Sequence, residues 1–485
     1  MFLSAFPLMA VTSCRAWLDV DSEDRILEDK LFSSTDGFYT ALNGVYVDLV
    51  NRDLYSGTLG PLTADVLAQY WNTEADSHLY GSLSLLLPEA KRTAVNGLWT
   101  RAYFLILNIN KIISHCDDKR GTVLNEKDYS IIKGEALALR ALLHFELLRY
   151  FGPVFSVSAG KDAIPYITEP EPQVNPILPA MSVISKLNSD ITEAIELLEE
   201  YDPVLVYGKN ETDNSGRNIY AYRNLRMNCF AVKALGARVN MYLSYLNDYR
   251  GKALEYAEEV IREASAFFPF STREEVSGQA ATGNVNVSAQ DRILSSDILF
   301  AVYNIKRGAD IYEYLFSPSL QINRLLSVTG SGYRSIYPEE SDLRTYQWTA
   351  RKDVAGNDIM CFVKYEGMEV DGKSYPYMIP VLRMSEMFLI AAECYAVEGK
   401  EDLAYERLNT LRNARQTSKV TSAIEAEIEN EYVREFVGEG QYFWFCKRKN
   451  YHSLSCLYDR SRPDRNISTE DYVFELPQSE GGFRE

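Results

Sequence analysis

The sequence has few residues of the kinds that build metal sites. Its 485 residues include only four histidines, and no two of these have the i, i+4 spacing at which a helix presents two imidazoles to one ion. The seven cysteines are widely spread, without a C-x-x-C pair or a Cys/His cluster at zinc spacing. We therefore predict no metal ion and no cofactor, although a calcium site made only of oxygen ligands would leave no such signature.

Positive charge is also scarce. Lys and Arg total 50 against 68 Asp and Glu, which gives a formal net charge of −18. Such a balance repels the phosphate backbone of nucleic acids and anionic lipid surfaces, so we predict no nucleic-acid partner. Hydrophobic residues make up 46% of the chain, enough to bury a large core, and 33 tyrosines supply rings for packing or for ligand stacking.

The first fourteen residues, "MFLSAFPLMAVTSC", resemble a bacterial lipoprotein signal. Their apolar run is too short to span a bilayer and matches the hydrophobic part of a secretory signal. We predict that residues 1–13 are a signal peptide and that Cys14 is acylated, which would tether the mature chain to a membrane. The alternative is a buried N-terminal segment with an incidental cysteine. The basic residues that normally precede such a run are missing, so the natural start is left open.

Apolar residues at helical spacing predict a mainly α-helical protein. A capping group at 34–36 precedes the apolar face that begins at Phe38, which predicts one helix there. Further helices are predicted over residues 95–115, 127–151, 180–200, 224–246, 252–266, 382–397, 401–415 and 423–437.

Two of these helix pairs match the tetratricopeptide unit, in which small residues allow two antiparallel helices to approach closely. In the pair that begins at Arg383 the matching positions are Ala392, Tyr395, Gly399, Ala404, Leu408 and Leu411. A less regular copy has its turn at 248–249 and its second-helix positions at Ala253, Ala257 and Val260. One unit cannot bury its own face, so several must stack, and the pairs at both ends of the chain must meet in one discontinuous domain over residues 14–485.

Two long segments lack helical periodicity, near residues 51–92 and 266–381, and both are rich in Gly, Ser, Asn and Pro. Irregular segments of this length are usually functional or carry short strands. We therefore expect the ligand-binding face of the protein to be built from them.

The stretch "GEALALRALLHFELLRYFGP" sets five charged or titratable residues into an apolar helix, namely Glu135, Arg140, His144, Glu146 and Arg149. One interpretation is acid–base chemistry in an active site. The other is a buried scaffold helix whose charges bond to neighbouring helices. No nucleophile, Gly-rich loop or metal cluster accompanies these residues, so we favour the scaffold.

Eight stretches in a fixed order carry a family resemblance: "TSCRAWLDV", "FSSTDGFYTALNGVY", "LWTRAYFLILNINKII", "GEALALRALLHFELLRYFGPV", "ALGARVNMYL", "RMSEMFLIAAECYA", "REFVGEGQYFWFCKR" and "YVFELPQSE". On these stretches, which run from Cys14 to Glu480, the chain resembles the SusD/RagB family of lipid-anchored nutrient-binding proteins of Bacteroidetes. Two positions depart from the family pattern, since Gln441 replaces a common Arg and Glu475 a usual Pro.

The resemblance implies a fold and a role. The fold would be a scaffold of tetratricopeptide-like helix pairs that supports a loop-rich ligand face. The protein would capture glycans on the outer membrane, facing the cell exterior, and deliver them to a SusC-like TonB-dependent transporter. Its function would then be non-catalytic, with no catalytic residues.

A sugar site needs aromatic rings in irregular, exposed segments, because sugars lay their C–H faces on rings while their hydroxyls bond polar side chains. Among the rings in such segments, our candidates for ligand contact are six: Tyr70, Trp71, Tyr80, Tyr333, Tyr337 and Trp348. For each ring taken singly we favour packing of its own loop over ligand contact, because rings also hold long loops in place.

Two other functions stay open. A deep, charged pocket in place of a shallow aromatic shelf would favour capture of a peptide or protein on the same fold. A hydrolase with paired carboxylates has candidates in "EAEIENE" from Glu425. Glutamate at that density is, however, typical of a solvated helix face.

Overall fold

The computed structural model describes residues 23–210, 220–279, 283, 285–356, 358–367, 370, 372–478 and 480. Cys14 and the predicted signal segment 1–13 lie outside these residues. Within them, the helices are α1 (Glu23–Leu31), α2 (Thr35–Asp48), α3 (Thr63–Leu67), α4 (Gly81–Ser84), α5 (Pro88–Lys119), α6 (Glu126–Phe151), α7 (Phe155–Ser158), α8 (Ala180–Tyr201), α9 (Val204–Tyr207), α10 (Cys229–Met241), α11 (Asn247–Ala264), α12 (Arg273–Ser277), α13 (Gly330–Ile336), α14 (Met384–Val397), α15 (Glu401–Ala414), α16 (Ile424–Glu435) and α17 (Tyr442–Lys449).

Strands are few and short. The described residues contain β1 (Asp162–Ile164), β2 (Leu178–Pro179), β3 (Ile298–Tyr303), β4 (Trp348–Lys352), β5 (Asp358–Phe362), β6 (Met378–Arg383), β7 (Ser453–Leu454) and β8 (Arg465–Asn466). They form four antiparallel pairs, β1–β2, β3–β6, β4–β5 and β7–β8. The protein is mainly α-helical, as the sequence predicts, and the irregular segment 266–381 carries strands β3 to β6.

The predicted helices are present, with differences at their ends. Helix α5 begins at Pro88, earlier than predicted, because proline suits a first turn whose N–H groups have no helical partner. The prediction of one helix over 224–246 is wrong at both ends. Residues 223–225 form a separate 3-10 turn, and α10 follows Asn228, whose side chain accepts a hydrogen bond from the N–H of Ala231 at 3.0 Å.

The two predicted tetratricopeptide-like pairs are α10–α11 and α14–α15. Gly399 lies in the short turn between α14 and α15 and has a φ of +71°. This left-handed backbone conformation ends a helix and favours glycine. The matching alanines of both pairs, Ala253, Ala257, Ala392 and Ala404, are buried. Glycine also lets other helices approach closely, since a Cβ on Gly134 of α6 would lie 2.8 Å from Cγ of Leu198 on α8.

Segments distant in sequence meet around α3. The fully buried carboxylate of Asp65 accepts hydrogen bonds from the N–H groups of Gly438 at 2.6 Å and Gly440 at 3.0 Å. Both glycines have positive φ, and a Cβ on Gly440 would lie 2.8 Å from the carbonyl oxygen of Gly60. The turn Gly438–Gly440 can surround the carboxylate because its first and last residues are glycines, which adopt a positive φ and have no Cβ to clash.

The two departures from the family pattern are accommodated locally. The Gln441 side chain accepts a hydrogen bond from Nη1 of Arg149 at 2.8 Å and donates one to the carbonyl of Glu439 at 2.8 Å. Glu475 forms an exposed ion pair with Arg92 at 2.5 Å. In the described part of the chain, no helix combines the length and apolarity needed to cross a bilayer.

Candidate functional site

The charged residues of α6 are tied into the scaffold. Arg140 donates to both carboxylate oxygens of Asp190, at 2.7 Å each, and Glu135 accepts from Arg223 at 2.6 Å. Glu146 and Arg149 form an ion pair with each other, and all of these side chains are buried. Because each of these buried charges is paired with an opposite charge, α6 has the features of a scaffold helix.

Buried carboxylates of the acidic helix α16 are also paired with arginines. Glu435 lies between the guanidinium groups of Arg415 at 2.6 Å and Arg383 at 2.9 Å. Burial alone would raise the pKa of Glu435, but the two arginines outweigh it and hold the pKa well below its ordinary value. A carboxylate held ionised between arginines serves as a structural anchor and is a poor proton donor. Glu425, at the start of the same helix, is exposed.

Five of the six predicted rings come together, although they belong to segments far apart in sequence. The Trp71 ring lies 6.0 Å from Trp348, and Trp348 lies 5.9 Å from Tyr333 and 6.3 Å from Tyr337. Tyr70 lies 6.3 Å from Trp71. With two phenylalanines they form what we call the aromatic cluster: Tyr70, Trp71, Phe316, Tyr333, Tyr337, Trp348 and Phe362.

Most of the aromatic cluster is buried, which contradicts the expectation of exposed rings. The exposed fraction is 0% for Tyr70 and Trp71, 3% for Tyr337 and 6% for Trp348. The hydroxyl groups of Tyr70 and Tyr337 donate at 2.8 Å to the carbonyls of residues 433 and 434, so chain from the C-terminal part covers these rings. Tyr333 is half-buried and forms the open edge of the cluster. Ligand contact by the six rings stays a prediction.

Tyr80 lies in a second group, also nearly buried, with 9% of its surface exposed. Burial and the neighbouring Tyr314 raise the pKa of Tyr80, while Arg324 and Arg52 act in the opposite direction. The guanidinium carbon of Arg52 lies 3.5 Å from the centroid of the Tyr314 ring, and that of Arg324 lies 6.0 Å from it. We call Arg52, Tyr80, Tyr314 and Arg324 the arginine–tyrosine group.

The aromatic cluster and the arginine–tyrosine group border one surface, which we call the loop face and define by segments 72–80, 314–337 and 457–465. Backbone hydrogen bonds join these segments, from residue 72 to 327 at 2.9 Å, from 79 to 323 at 2.8 Å and from 329 to 458 at 3.1 Å. Arg462 also pairs with Glu74 at 2.6 Å. Its exposed polar side chains include Glu74, Asp76, Ser77, Arg324, Arg334, Ser335 and Arg460.

One polar atom of the loop face lacks a partner. Oδ1 of Asn323 is buried and accepts no hydrogen bond from the described residues. A buried acceptor without a donor costs about 1–3 kcal/mol of folding free energy. The sequence prediction named only aromatic rings as ligand contacts, so it omitted Asn323, Arg52 and Arg324. It also omitted Tyr314, which lies in segment 266–381 within a short π-helix over Gly308–Phe316.

A groove of about 500 Å³ lies elsewhere, between α1, α2 and α5. Its lining is mainly apolar and includes the exposed side chains of Leu27, Val47 and Phe104. A sugar needs more hydrogen-bonding groups than such a lining provides. Among the described residues, no three His, Cys, Asp or Glu side chains come together as a metal site would require.

Two family models match separate parts of the chain. Residues 17–209 match SusD-like proteins described as starch-binding and associating with the outer membrane, and residues 348–471 match the SusD family. Among curated proteins, none matches the sequence.

Solved structures share the whole fold at low sequence identity. A putative sugar-binding protein from Bacteroides vulgatus has a TM-score of 0.69 at 21% identity, over 93% of this chain and 96% of its own. A SusD superfamily protein from Bacteroides thetaiotaomicron has a TM-score of 0.70 at 20% identity, over 93% and 98%. Surface glycan-binding protein A from the same species has a TM-score of 0.65 at 18% identity, over 93% and 98%.

Proposed function

Since the chain belongs to the SusD/RagB family, we propose that it binds an oligosaccharide or polysaccharide at the cell surface and delivers it to a TonB-dependent transporter of the outer membrane. The observation that carries the binding proposal is the loop face, where the half-buried ring of Tyr333 lies among exposed polar side chains. Two of the structural neighbours are described as sugar-binding and glycan-binding proteins.

The chemistry of the loop face suits a sugar. A ring exposed along one edge offers a platform for C–H faces, and the buried cluster behind it holds that ring in a fixed orientation. Hydroxyl groups of a sugar both donate and accept, so they match a surface that mixes carboxylates, hydroxyls and guanidinium groups. A rigid scaffold under adaptable loops is a common design for capture.

The contacts of the buried carboxylates favour capture of a glycan over its cleavage. Hydrolysis of a glycosidic bond needs two carboxyl groups on opposite sides of the bond, one of them free to donate a proton. The buried glutamates of α16 instead contact arginines, as Glu431 does with Arg344 at 2.5 Å. We propose that the protein is not an enzyme.

Delivery requires that the protein stay close to its transporter. We propose that the acyl group of Cys14 anchors the protein in the outer membrane, where it would meet a SusC-like transporter. The family model is described as associating with the outer membrane, which supports this location.

Substitution of Tyr333 tests the site. In Tyr333→Ala we expect glycan affinity to fall about ten- to hundredfold, roughly 1–3 kcal/mol, with little change in melting temperature, because the ring lies at the open edge of the cluster. Trp71→Ala should instead cost about 3–5 kcal/mol of stability, since that ring fills the core. Calorimetric titration against a panel of polysaccharides, with thermal melts alongside, measures both effects.

A matched control is Tyr405→Ala, since Tyr405 is also half-buried but lies on α15. Unchanged affinity in Tyr333→Ala, with glycan still bound, would move the site away from this ring. If the wild-type protein bound no glycan but retained a peptide, the glycan proposal would fail and peptide capture would take its place.

A further inference from the structure

We infer that the glycan is acidic, bearing carboxylate or sulfate groups, and that Arg52, Arg324 and Tyr314 bind such a group together. This inference rests on the proposed function and adds to it the substrate class. It also assigns a binding role to the arginine–tyrosine group.

The first argument is the way arginines are paired across the molecule. Most arginine side chains that the structure describes have a carboxylate oxygen within 4.0 Å, and the buried ones often have two or three, as with Arg344 and Arg383. In the same described residues, seven arginines have no such partner: Arg52, Arg273, Arg307, Arg324, Arg334, Arg460 and Arg465.

The second argument is where the unpaired arginines lie. Arg273 donates to the side chain of Gln416 at 2.8 Å, and the buried Arg307 donates to backbone carbonyls. The other five, Arg52, Arg324, Arg334, Arg460 and Arg465, lie on or beside the loop face. A chain with a net charge of −18 thus keeps five of its seven unpaired guanidinium groups on or beside the surface where the ligand is proposed to bind.

The third argument is the local geometry of the arginine–tyrosine group. Both guanidinium groups contact one half-buried ring, that of Tyr314, and both arginines are exposed. The hydrogen bond of Arg52 that the structure shows is a long one, 3.5 Å from Nη2 to the carbonyl oxygen of Asp310. Most N–H donors of the two guanidinium groups therefore remain available to a ligand. Two like charges beside one ring also repel each other, and an anion bound between them would remove that cost.

The chemistry of these groups selects an acidic sugar over a neutral one. A planar guanidinium group presents parallel N–H donors that match the two oxygens of a carboxylate or sulfate. Tyr314 adds a ring against which the pyranose can lie. A neutral sugar would use the ring but would leave both charges without compensation.

Titration with chemically matched glycans tests the inference. The probes are oligogalacturonate for the carboxylate, chondroitin sulfate and heparin for sulfate, and soluble starch as the neutral reference. We expect the wild-type protein to bind at least one acidic probe at least tenfold more tightly than starch, with an affinity that falls as salt is added. The probe that binds tightest identifies the acidic group.

Variants locate the binding group. The double variant Arg52→Gln/Arg324→Gln should lose at least tenfold in affinity for the acidic probe at an unchanged melting temperature, because both side chains are exposed. Arg273→Gln, which removes another arginine without an ion pair, is the matched control and should keep the wild-type affinity.

The outcomes separate this inference from the proposed function. Binding of starch alone, or equal binding of neutral and acidic probes, would overturn the inference and leave the glycan proposal standing. Full affinity of the double variant for an acidic probe would overturn the role of Arg52 and Arg324. Binding of no glycan at all would overturn the proposed function itself.

Discussion

At the scale of single residues, His144 shows how a titratable side chain serves a helical core. Its Nδ1 donates to the carbonyl of Arg140 at 2.9 Å, and its Nε2 accepts from the N–H of Ile167 at 3.0 Å. The ring also stacks on Tyr166 at a centroid distance of 3.9 Å. Since one nitrogen donates and the other accepts, the folded protein holds the neutral imidazole.

Stability should therefore depend on pH through His144. Burial lowers its pKa from 6.5 to about 3. Between these values the unfolded chain binds a proton that the folded chain does not, so the contribution is complete above pH 6.5 and falls by about 1.4 kcal/mol per pH unit below it. In His144→Gln we expect a loss of about 1–3 kcal/mol at neutral pH and a shallower decline in acid, measured by denaturant unfolding across pH.

Two outcomes for His144→Gln would contradict this interpretation. Parallel pH profiles for wild type and His144→Gln would show that the imidazole is not held neutral. Intact stability together with lost glycan binding would return α6 to the binding site and reverse the scaffold interpretation.

Residue type and irregular context were enough to select rings that meet in space. The ring centroids of Trp71 and Trp348 lie 6.0 Å apart, although the two residues are 277 positions apart in the sequence. Their burial could not be predicted in the same way. Whether a ring is covered depends on distant chain, such as the carbonyl of Val433 that accepts from Tyr70. The arginine–tyrosine group was missed for a similar reason, because an arginine without an ion pair is recognised only when its neighbours in space are known.

At the scale of elements, periodicity predicted most helices because a buried apolar face repeats every 3.6 residues. It could not show how closely helices pack. Helix α6 is buried almost all round and so has little amphipathic pattern. Its approach to α8 depends on one residue, Gly134, where a Cβ would also lie 3.3 Å from the carbonyl oxygen of Ala194.

Alanine at Gly134 should separate these helices. The added methyl group must displace Leu198 or the helix backbone, so in Gly134→Ala we expect a loss of about 1–3 kcal/mol. Gly44→Ala in α2 is the matched control, since nothing lies within 4 Å of its added Cβ and alanine favours a helix by about 0.5–1 kcal/mol. Thermal or denaturant unfolding measures both. An equal stabilisation of the two variants would mean that helix propensity, and not the contact with α8, decides the effect.

At the scale of the whole molecule, the proposed function depends on an anchor outside the described residues. A lipid on Cys14 would hold a protein with a net charge of −18 at a membrane surface that otherwise repels it. The small residues before the cysteine carry this prediction, and the folded part neither adds to it nor opposes it.

Replacement of the cysteine tests the anchor. We expect Cys14→Ala, expressed in the native host, to leave the membrane fraction and become soluble, while a variant of a buried cysteine such as Cys116→Ala stays bound. Cell fractionation and metabolic labelling with a fatty acid provide the measurements. Full membrane retention of Cys14→Ala would point to another anchor.

The wrapping of Asp65 by the turn at Gly438 and Gly440 also imposes an order of events on synthesis. Until the ribosome has added those glycines, the carboxylate of Asp65 has no donors to offset its desolvation, and the first part of the chain cannot close around it. The surroundings of Asp65 can therefore reach their final packing only after several hundred further residues have been added.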